Sequence, residues 1–114
     1  MSDCLFCKII NGEISADIVA ENDHAKAFRD INPQAPTHVL VIPKVHIGST
    51  RDLNDDNVDA LTQMVLLANE IADSEGISDD GYRWVMNTGS HGGQTVFHIH
   101  LHLLGGRQLN WPPG

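Results

Sequence analysis

Phe97-His98-Ile99-His100-Leu101-His102-Leu103-Leu104 alternates apolar and imidazole side chains almost residue by residue. Successive side chains on a β-strand point to opposite faces. The run therefore predicts a strand over 97–104. Phe97, Ile99, Leu101 and Leu103 would enter a core, and His98, His100 and His102 would share the other face. Thr, Lys or Glu would line a merely solvated sheet face equally well, so three histidines on one face point to chemistry. Imidazole titrates near neutrality and has two distinct nitrogens. Such a row can serve as metal ligands or as nucleophile and acid–base groups. A catalytic zinc held by histidines would want a nearby carboxylate. None lies in this strand or in the turn before it, which favours the nucleophile reading.

That turn, Thr88-Gly89-Ser90-His91-Gly92-Gly93-Gln94-Thr95, is rich in glycine. Glycine lets the backbone approach a ligand, and successive N–H groups can face anionic oxygens. The turn feeds a strand rather than a helix and lacks a Lys-Ser/Thr pair, so it is not a P-loop. Gln94 and Thr95 stand where side-chain donors could reach a phosphate or a leaving group. His91 is a minor candidate there, and His24 reads as a surface residue.

Working outward, Ile18–Glu21 and Ala25–Arg29 read as short strands around Asn22-Asp23. Two prolines make 30–36 a loop. His38–Ile42 is a β-branched strand stopped by Pro43. Asn54 or Asp55 can cap a long helix carried by Val58, Leu61, Val65, Ala68 and Ile71, with Gly76 as its stop. Tyr82–Asn87 reads as a strand, and a short helix from Cys4 to Ile10 has Asp3 as its cap. Five strands with short connections and helices that interrupt rather than alternate predict an α+β fold. Its sheet is antiparallel, with one long and one short helix.

The 114 residues fit a single domain, 1–114. Seven basic against fifteen acidic residues give a formal charge of −8, which disfavours binding to a nucleic-acid backbone. A single nucleotide remains compatible, because backbone amides and histidines can hold one phosphate. No stretch reaches the ~20 apolar residues of a membrane helix. The polar, acidic opening Met1-Ser2-Asp3-Cys4 lacks a leader pattern, so the expectation is a cytoplasmic protein without a membrane partner. Cys4 and Cys7 form a C-x-x-C, which in a cytosolic chain reads as metal or redox chemistry. Redox is the weaker option, since no strand precedes the pair.

The run His98-Ile99-His100-Leu101-His102-Leu103 resembles the signature of the histidine triad (HIT) superfamily. Four further stretches resemble its Hint branch: 30–38 (Asp-Ile-Asn-Pro-Gln-Ala-Pro-Thr-His), Val41-Ile42-Pro43-Lys44, Gly92-Gly93-Gln94 and Leu104-Gly105-Gly106-Arg107. The ending Trp111-Pro112-Pro113-Gly114 does so too, and the likeness spans nearly the whole chain. The resemblance implies a HIT-like fold, a homodimer whose sheets join across the interface, and hydrolysis of purine nucleoside 5′-phosphoramidates. It implies that His100 is the nucleophile and forms a covalent nucleotidyl-histidine. His98 would support it, His102 would touch phosphate oxygens, and His38 would bond within the triad. Asp30 would hold the ribose hydroxyls. Phe6, Phe28 and Ile31 would surround the purine, each equally readable as core. Asn87, Gly93, Gln94 and Thr95 would lie near the phosphate. Thr95 stands where the family often has serine, and its hydroxyl could still protonate the leaving amine. Trp111 would influence substrate choice from the partner's side. No cofactor is implied for the chemistry. A structural zinc is implied by Cys4 and Cys7, which share a helix face, together with His46 and His98. Two other readings stay open: a metal-dependent hydrolase using the row as ligands, and a non-catalytic nucleotide-binding module.

Overall fold

In β3 (Thr37–Pro43) every residue is buried, and its two sides are sorted by alternation. Val39 and Val41 join one apolar cluster, Leu40 and Ile42 another. The computed structural model describes residues 3–114, so Met1 and Ser2, part of the opening read for a leader, lie outside it. Around β3 runs an antiparallel sheet in the order β1-β2-β3-β5-β4, with β1 Ile18–Glu21, β2 Ala25–Arg29, β4 Tyr82–Val85 and β5 Leu101–Gly105. This is the expected α+β architecture with its expected five strands.

The long helix α2 (Asp59–Ser74) covers one face with Met64, Leu67, Ala68, Ile71 and Ala72. They pack on Ala25, Ala27, Val39, Val41, Leu101 and Leu103. Burial of each larger aliphatic chain contributes roughly 1.5–3 kcal/mol, so this layer dominates the core. The short helix α1 (Leu5–Ile10) places Phe6 and Ile9 against Phe28, Leu40 and Ile42 on the opposite face. A bidentate pair from Arg29 to Glu75, 2.7 and 3.2 Å, ties β2 to the end of α2. It holds the Glu75 carboxyl below its usual range.

The boundaries differ from expectation at five points. β5 begins at Leu101, not Phe97. His98 is drawn into a side-chain cluster, and the Ile99 N–H donates to the Ile47 carbonyl at 2.7 Å instead of joining the sheet. Phe97 is consequently 59% exposed rather than in the core, while Ile99, Leu101 and Leu103 are buried as expected. α2 starts at Asp59 because Asn54 and Asn57 close a turn on each other: Asn54 N–H donates to Asn57 Oδ1 and Asp56 N–H to Asn54 Oδ1. β4 stops at Val85, and the glycine-rich turn contains a one-turn helix α3 (Gly89–Gly92) ended by Gly93 at φ +88°. Cys4, not Asp3, caps α1, its sulfur accepting from the Cys7 N–H at 3.4 Å. Among the described residues no helix is long and apolar enough to cross a membrane.

Candidate active site and candidate metal centre

The three histidines of the opening run have three different environments. His98 is fully buried, and its Nε2–H donates to the Pro43 carbonyl at 2.9 Å. A neutral imidazole carries one proton, so its Nδ1 holds a lone pair. That Nδ1 lies 3.4 Å from Cys4 Sγ, 3.5 Å from Cys7 Sγ and 3.2 Å from His46 Nδ1. His46 Nδ1 is 3.3 Å from Cys7 Sγ. Burial pushes the His98 pKa down, keeping the ring neutral. All four donor atoms lie within 4.8 Å of one another.

These separations permit a test of fit. Zinc bonds of about 2.0–2.1 Å to nitrogen and about 2.3 Å to sulfur define a tetrahedron with edges near 3.3 Å (N–N) and 3.6 Å (N–S). The N–N separation of 3.2 Å and the three N–S separations to Cys4–His98, Cys7–His98 and Cys7–His46, 3.3–3.5 Å, match within a few tenths of an ångström. Two sulfurs and two imidazole nitrogens gathered within 4.8 Å of one another are a donor set that suits a soft divalent cation. Cys4, Cys7, His46 and His98 therefore fit zinc.

His100 sits one residue before β5. Its Nδ1–H donates to the His98 carbonyl at 2.8 Å, which leaves the lone pair on Nε2. The Phe6 ring stands edge-on to it, centroids 5.1 Å apart, and the His102 ring is equally close at 5.1 Å. The tautomer of His102 is set from the other side. Gln34 N–H donates to His38 Nδ1 at 3.0 Å, so the His38 proton is on Nε2, where it donates to His102 Nδ1 at 2.9 Å. His102 then carries its proton on Nε2, as a donor. Burial, helped by the neighbouring His100 and His38, pushes the His102 pKa down to about 4. Burial lowers the His38 pKa as well, against the pull of Asp30, whose Oδ2 lies 3.5 Å from His38 Nε2. A lone-pair nitrogen thus stands beside an N–H donor, the pair needed to attack phosphorus while holding one of its oxygens.

The remaining candidates fall into two groups. Asp30 keeps Oδ1 on the Asn32 N–H at 2.8 Å beside His38. Phe6 and Phe28 are buried in edge-on contact, centroids 5.5 Å apart, so both are core whatever else they do. Ile31 is fully exposed. Asn87 Nδ2 lies 3.9 Å from where a Cβ on Gly93 would stand, and Thr95 is exposed beyond it. Gln94 is differently engaged. It is buried, its amide donates to the carbonyls of Gly48 (2.8 Å) and Val96 (3.0 Å), and its oxygen accepts from Gly89 N–H (3.0 Å). Its side chain pins the glycine-rich turn instead of offering donors to a ligand. Trp111 is 80% exposed, with the Arg83 guanidinium 5.9 Å from its ring centre. The Thr50 and Thr88 hydroxyls meet at the turn's entry, a contact with no prior sequence signal.

A small α+β sheet bearing a histidine trio of this kind defines a class, and the comparisons agree with it. The chain belongs to the histidine triad superfamily: the family model described as scavenger mRNA decapping enzyme C-terminal binding matches residues 3–110. Within the superfamily it is similar to Hint-type proteins. A protein of Escherichia coli K12 named purine nucleoside phosphoramidase is 53% identical over 107 residues, covering 94% of this chain and 90% of that protein. A 14 kDa zinc-binding protein of Zea mays is 50% identical, covering 99% of this chain and 89% of its own. The crystal structure of a HIT family hydrolase from Legionella pneumophila Philadelphia 1 superposes with a TM-score of 0.96. It is 57% identical and covers 98% of this chain and 100% of that one.

Proposed function

We propose that this chain hydrolyses purine nucleoside 5′-phosphoramidates. The observation that carries the reading is the His100 Nδ1–H bond to the His98 carbonyl, which leaves the lone pair on Nε2 of a ring 5.1 Å from that of His102, whose proton is on Nε2. His100 Nε2 attacks phosphorus, the P–N bond breaks, and the amine departs with a proton, for which the Thr95 hydroxyl is the donor. Water then cleaves the nucleotidyl-histidine, its oxygen bonding to phosphorus as the P–Nε2 bond breaks and its proton returning to the Thr95 oxygen, giving the nucleoside monophosphate and restoring His100. His102 holds a phosphate oxygen as charge develops. Asn87 and Gly93 flank the phosphate, and Gln94 keeps the turn in position. Asp30 takes the ribose hydroxyls, and Phe6, Phe28 and Ile31 border the purine. The names of the relatives, a phosphoramidase and a hydrolase, support the same reaction type.

Zinc held by Cys4, Cys7, His46 and His98 has a structural role in this reading, since four protein donors fill a tetrahedron. When bound it supplies a cross-link between α1, the segment after β3 and the approach to β5. The name of the maize relative supports this assignment. A homodimer joined through the β4 edge is part of the proposal. β4 is a sheet edge carrying Trp84, 40% exposed, and such edges invite pairing with a second copy. Trp111, next to Arg83 on that strand, would then face the partner.

The test is turnover of adenosine 5′-phosphoramidate by purified protein and by the His100→Ala variant, with acid quench for a labelled nucleotidyl-protein. Loss of turnover by several orders of magnitude and of the labelled species in a folded variant is expected. Equal rates in the two proteins would refute the assignment.

A further inference from the structure

We infer that Arg107, which lies outside the site, is a positioning residue that sets His102 as a hydrogen-bond donor through Gln34 and His38. The inference rests on the phosphoramidate reading for its kinetic consequence, and on hydrogen-bond geometry alone for its structural content.

Arg107 Nη2 donates to the Gln34 carbonyl at 2.8 Å, across 73 positions of sequence, while its Nη1 donates to the Gln108 carbonyl at 3.0 Å. The N–H of that same Gln34 donates to His38 Nδ1 at 3.0 Å, and His38 passes the order on to His102 at 2.9 Å. Gln34 belongs to a loop without regular structure, and Asn32, Pro33 and Gln34 are exposed. Within the loop the Gln34 side-chain amide donates to the Asn32 carbonyl at 3.0 Å. The loop's conformation relative to the sheet therefore depends on ties from outside, and Arg107 supplies one.

The turn that delivers Arg107 is built for this approach. Thr37 pairs with Gly105 and His38 with Leu104, so the end of β5 runs beside the exit of the loop. Gly106 has φ +90°, and a Cβ there would stand 2.9 Å from Pro36 Cβ. Only glycine permits both the backbone angle and the close packing on Pro36. Two independent features, the Gly106–Pro36 contact and the Arg107–Gln34 bond, bring β5 to the same loop.

The consequence follows from the two tautomers of imidazole. With the Gln34 N–H held at His38 Nδ1, His38 donates from Nε2 and His102 must accept at Nδ1 and donate from Nε2. If the Gln34 residue turns away, His38 can protonate Nδ1 in part of the population, against the pull of the Asp30 carboxylate 3.5 Å from its Nε2. Its Nε2 lone pair then faces His102, which must respond with its own proton on Nδ1. His102 would present a lone pair to the phosphate oxygen instead of an N–H. The relay thus converts a main-chain contact at the surface into the polarity of an atom at the reacting phosphate.

The experiment compares wild type, Arg107→Ala, Arg107→Lys and Gly106→Ala by 15N-labelled histidine NMR near pH 7 and by steady-state kinetics with adenosine 5′-phosphoramidate. Wild-type His102 should give the Nε2–H signature. Arg107→Ala should give a mixture of tautomers and a kcat lowered between about twofold and tenfold, the range one ordinary hydrogen bond spans, with KM little changed. Arg107→Lys, which can still donate to the Gln34 carbonyl, should restore most of both, and Gly106→Ala should mimic Arg107→Ala. Unchanged His102 tautomer in both Arg107→Ala and Gly106→Ala would overturn the inference, even if their melting temperatures fall. Absence of turnover by wild type would refute the phosphoramidate reading, while the NMR comparison still decides the relay.

Discussion

Removing metal from the Cys4–Cys7–His46–His98 cluster should destabilise the whole domain by an amount that can be bounded. A ligand that binds only the folded state adds RT ln(1 + [L]/Kd), about 4 kcal/mol when free ligand is about 1,000 times Kd. Unfolding entropy near ~2.1 cal/mol/K per residue gives about 0.24 kcal/mol/K for 114 residues, so each kcal/mol moves Tm by about 4 °C. Stripping a zinc bound that tightly should therefore lower Tm by about 15 °C. The loss should be global rather than confined to the N-terminus, because His98 is fully buried and continuous with the approach to β5. The assay is a thermal melt by circular dichroism with a metal chelator and with added zinc, beside elemental analysis of protein purified without chelators. Cys7→Ser should melt near the chelated wild type and respond little to zinc. Identical melts with and without chelator, in protein containing no stoichiometric zinc, would refute both the assignment and the tetrahedral argument behind it.

A neutral His102 gives a second outcome, in pH. Its folded pKa, about 4, lies below the ordinary 6.5, so the unfolded chain binds a proton that the folded one refuses. Stability should be full above pH ~6.5 and fall by on the order of 2 kcal/mol as pH drops toward ~4, with His38 adding in the same direction. Urea titrations of chelated protein at pH 7 and 4.5 measure it, and equal midpoints would contradict it. Gly105→Ala would set a methyl 2.6 Å from Ile77 Cδ1 and 3.3 Å from Tyr82 Cβ. A cost of about 1–3 kcal/mol is expected from overpacking, read as a drop in Tm of roughly 4–12 °C. Asp30→Asn should raise KM for a ribonucleoside phosphoramidate at least about tenfold, the value of a charged hydrogen bond, and leave the 2′,3′-dideoxy analogue nearly unaffected. Equal changes for both substrates would remove Asp30 from the sugar.

The sheet was legible wherever alternation or β-branching was strong. His38–Ile42 and Ile18–Glu21 fall where their patterns point, because tertiary packing acts on the same residues that carry the periodicity. The histidine run misled at its start for the opposite reason. Alternation continues through Phe97 and His98, yet the ladder stops, because His98 is recruited by sulfur and imidazole donors distant in sequence. Such recruitment leaves no local pattern. The start of α2 was obscured similarly: Asn54 was a plausible helix cap, but its side chain accepts from the Asp56 N–H in a separate turn, which the Asn57 side chain closes on the Asn54 N–H. Gln94 could be located near the turn but not oriented, since its three bonds go to main-chain atoms that only the fold brings together. The Cys4, Cys7, His46 and His98 grouping came from the resemblance, and the fold brings those four donors within 4.8 Å of one another.

Three of the four ring orientations described above are decided by peptide groups: the Pro43 carbonyl for His98, the His98 carbonyl for His100 and the Gln34 amide for His38. A point substitution changes a side chain but leaves these atoms in the chain. The proton pattern is thereby insulated from most single-residue drift, and stepwise sequence change can alter base, sugar or leaving-group preference around a reaction centre whose polarity stays constant. Variants that do scramble it should cluster where these peptides are held or redirected, at Arg107 on the Gln34 carbonyl and at the prolines and glycines bordering these peptides, well away from the atoms that touch a nucleotide.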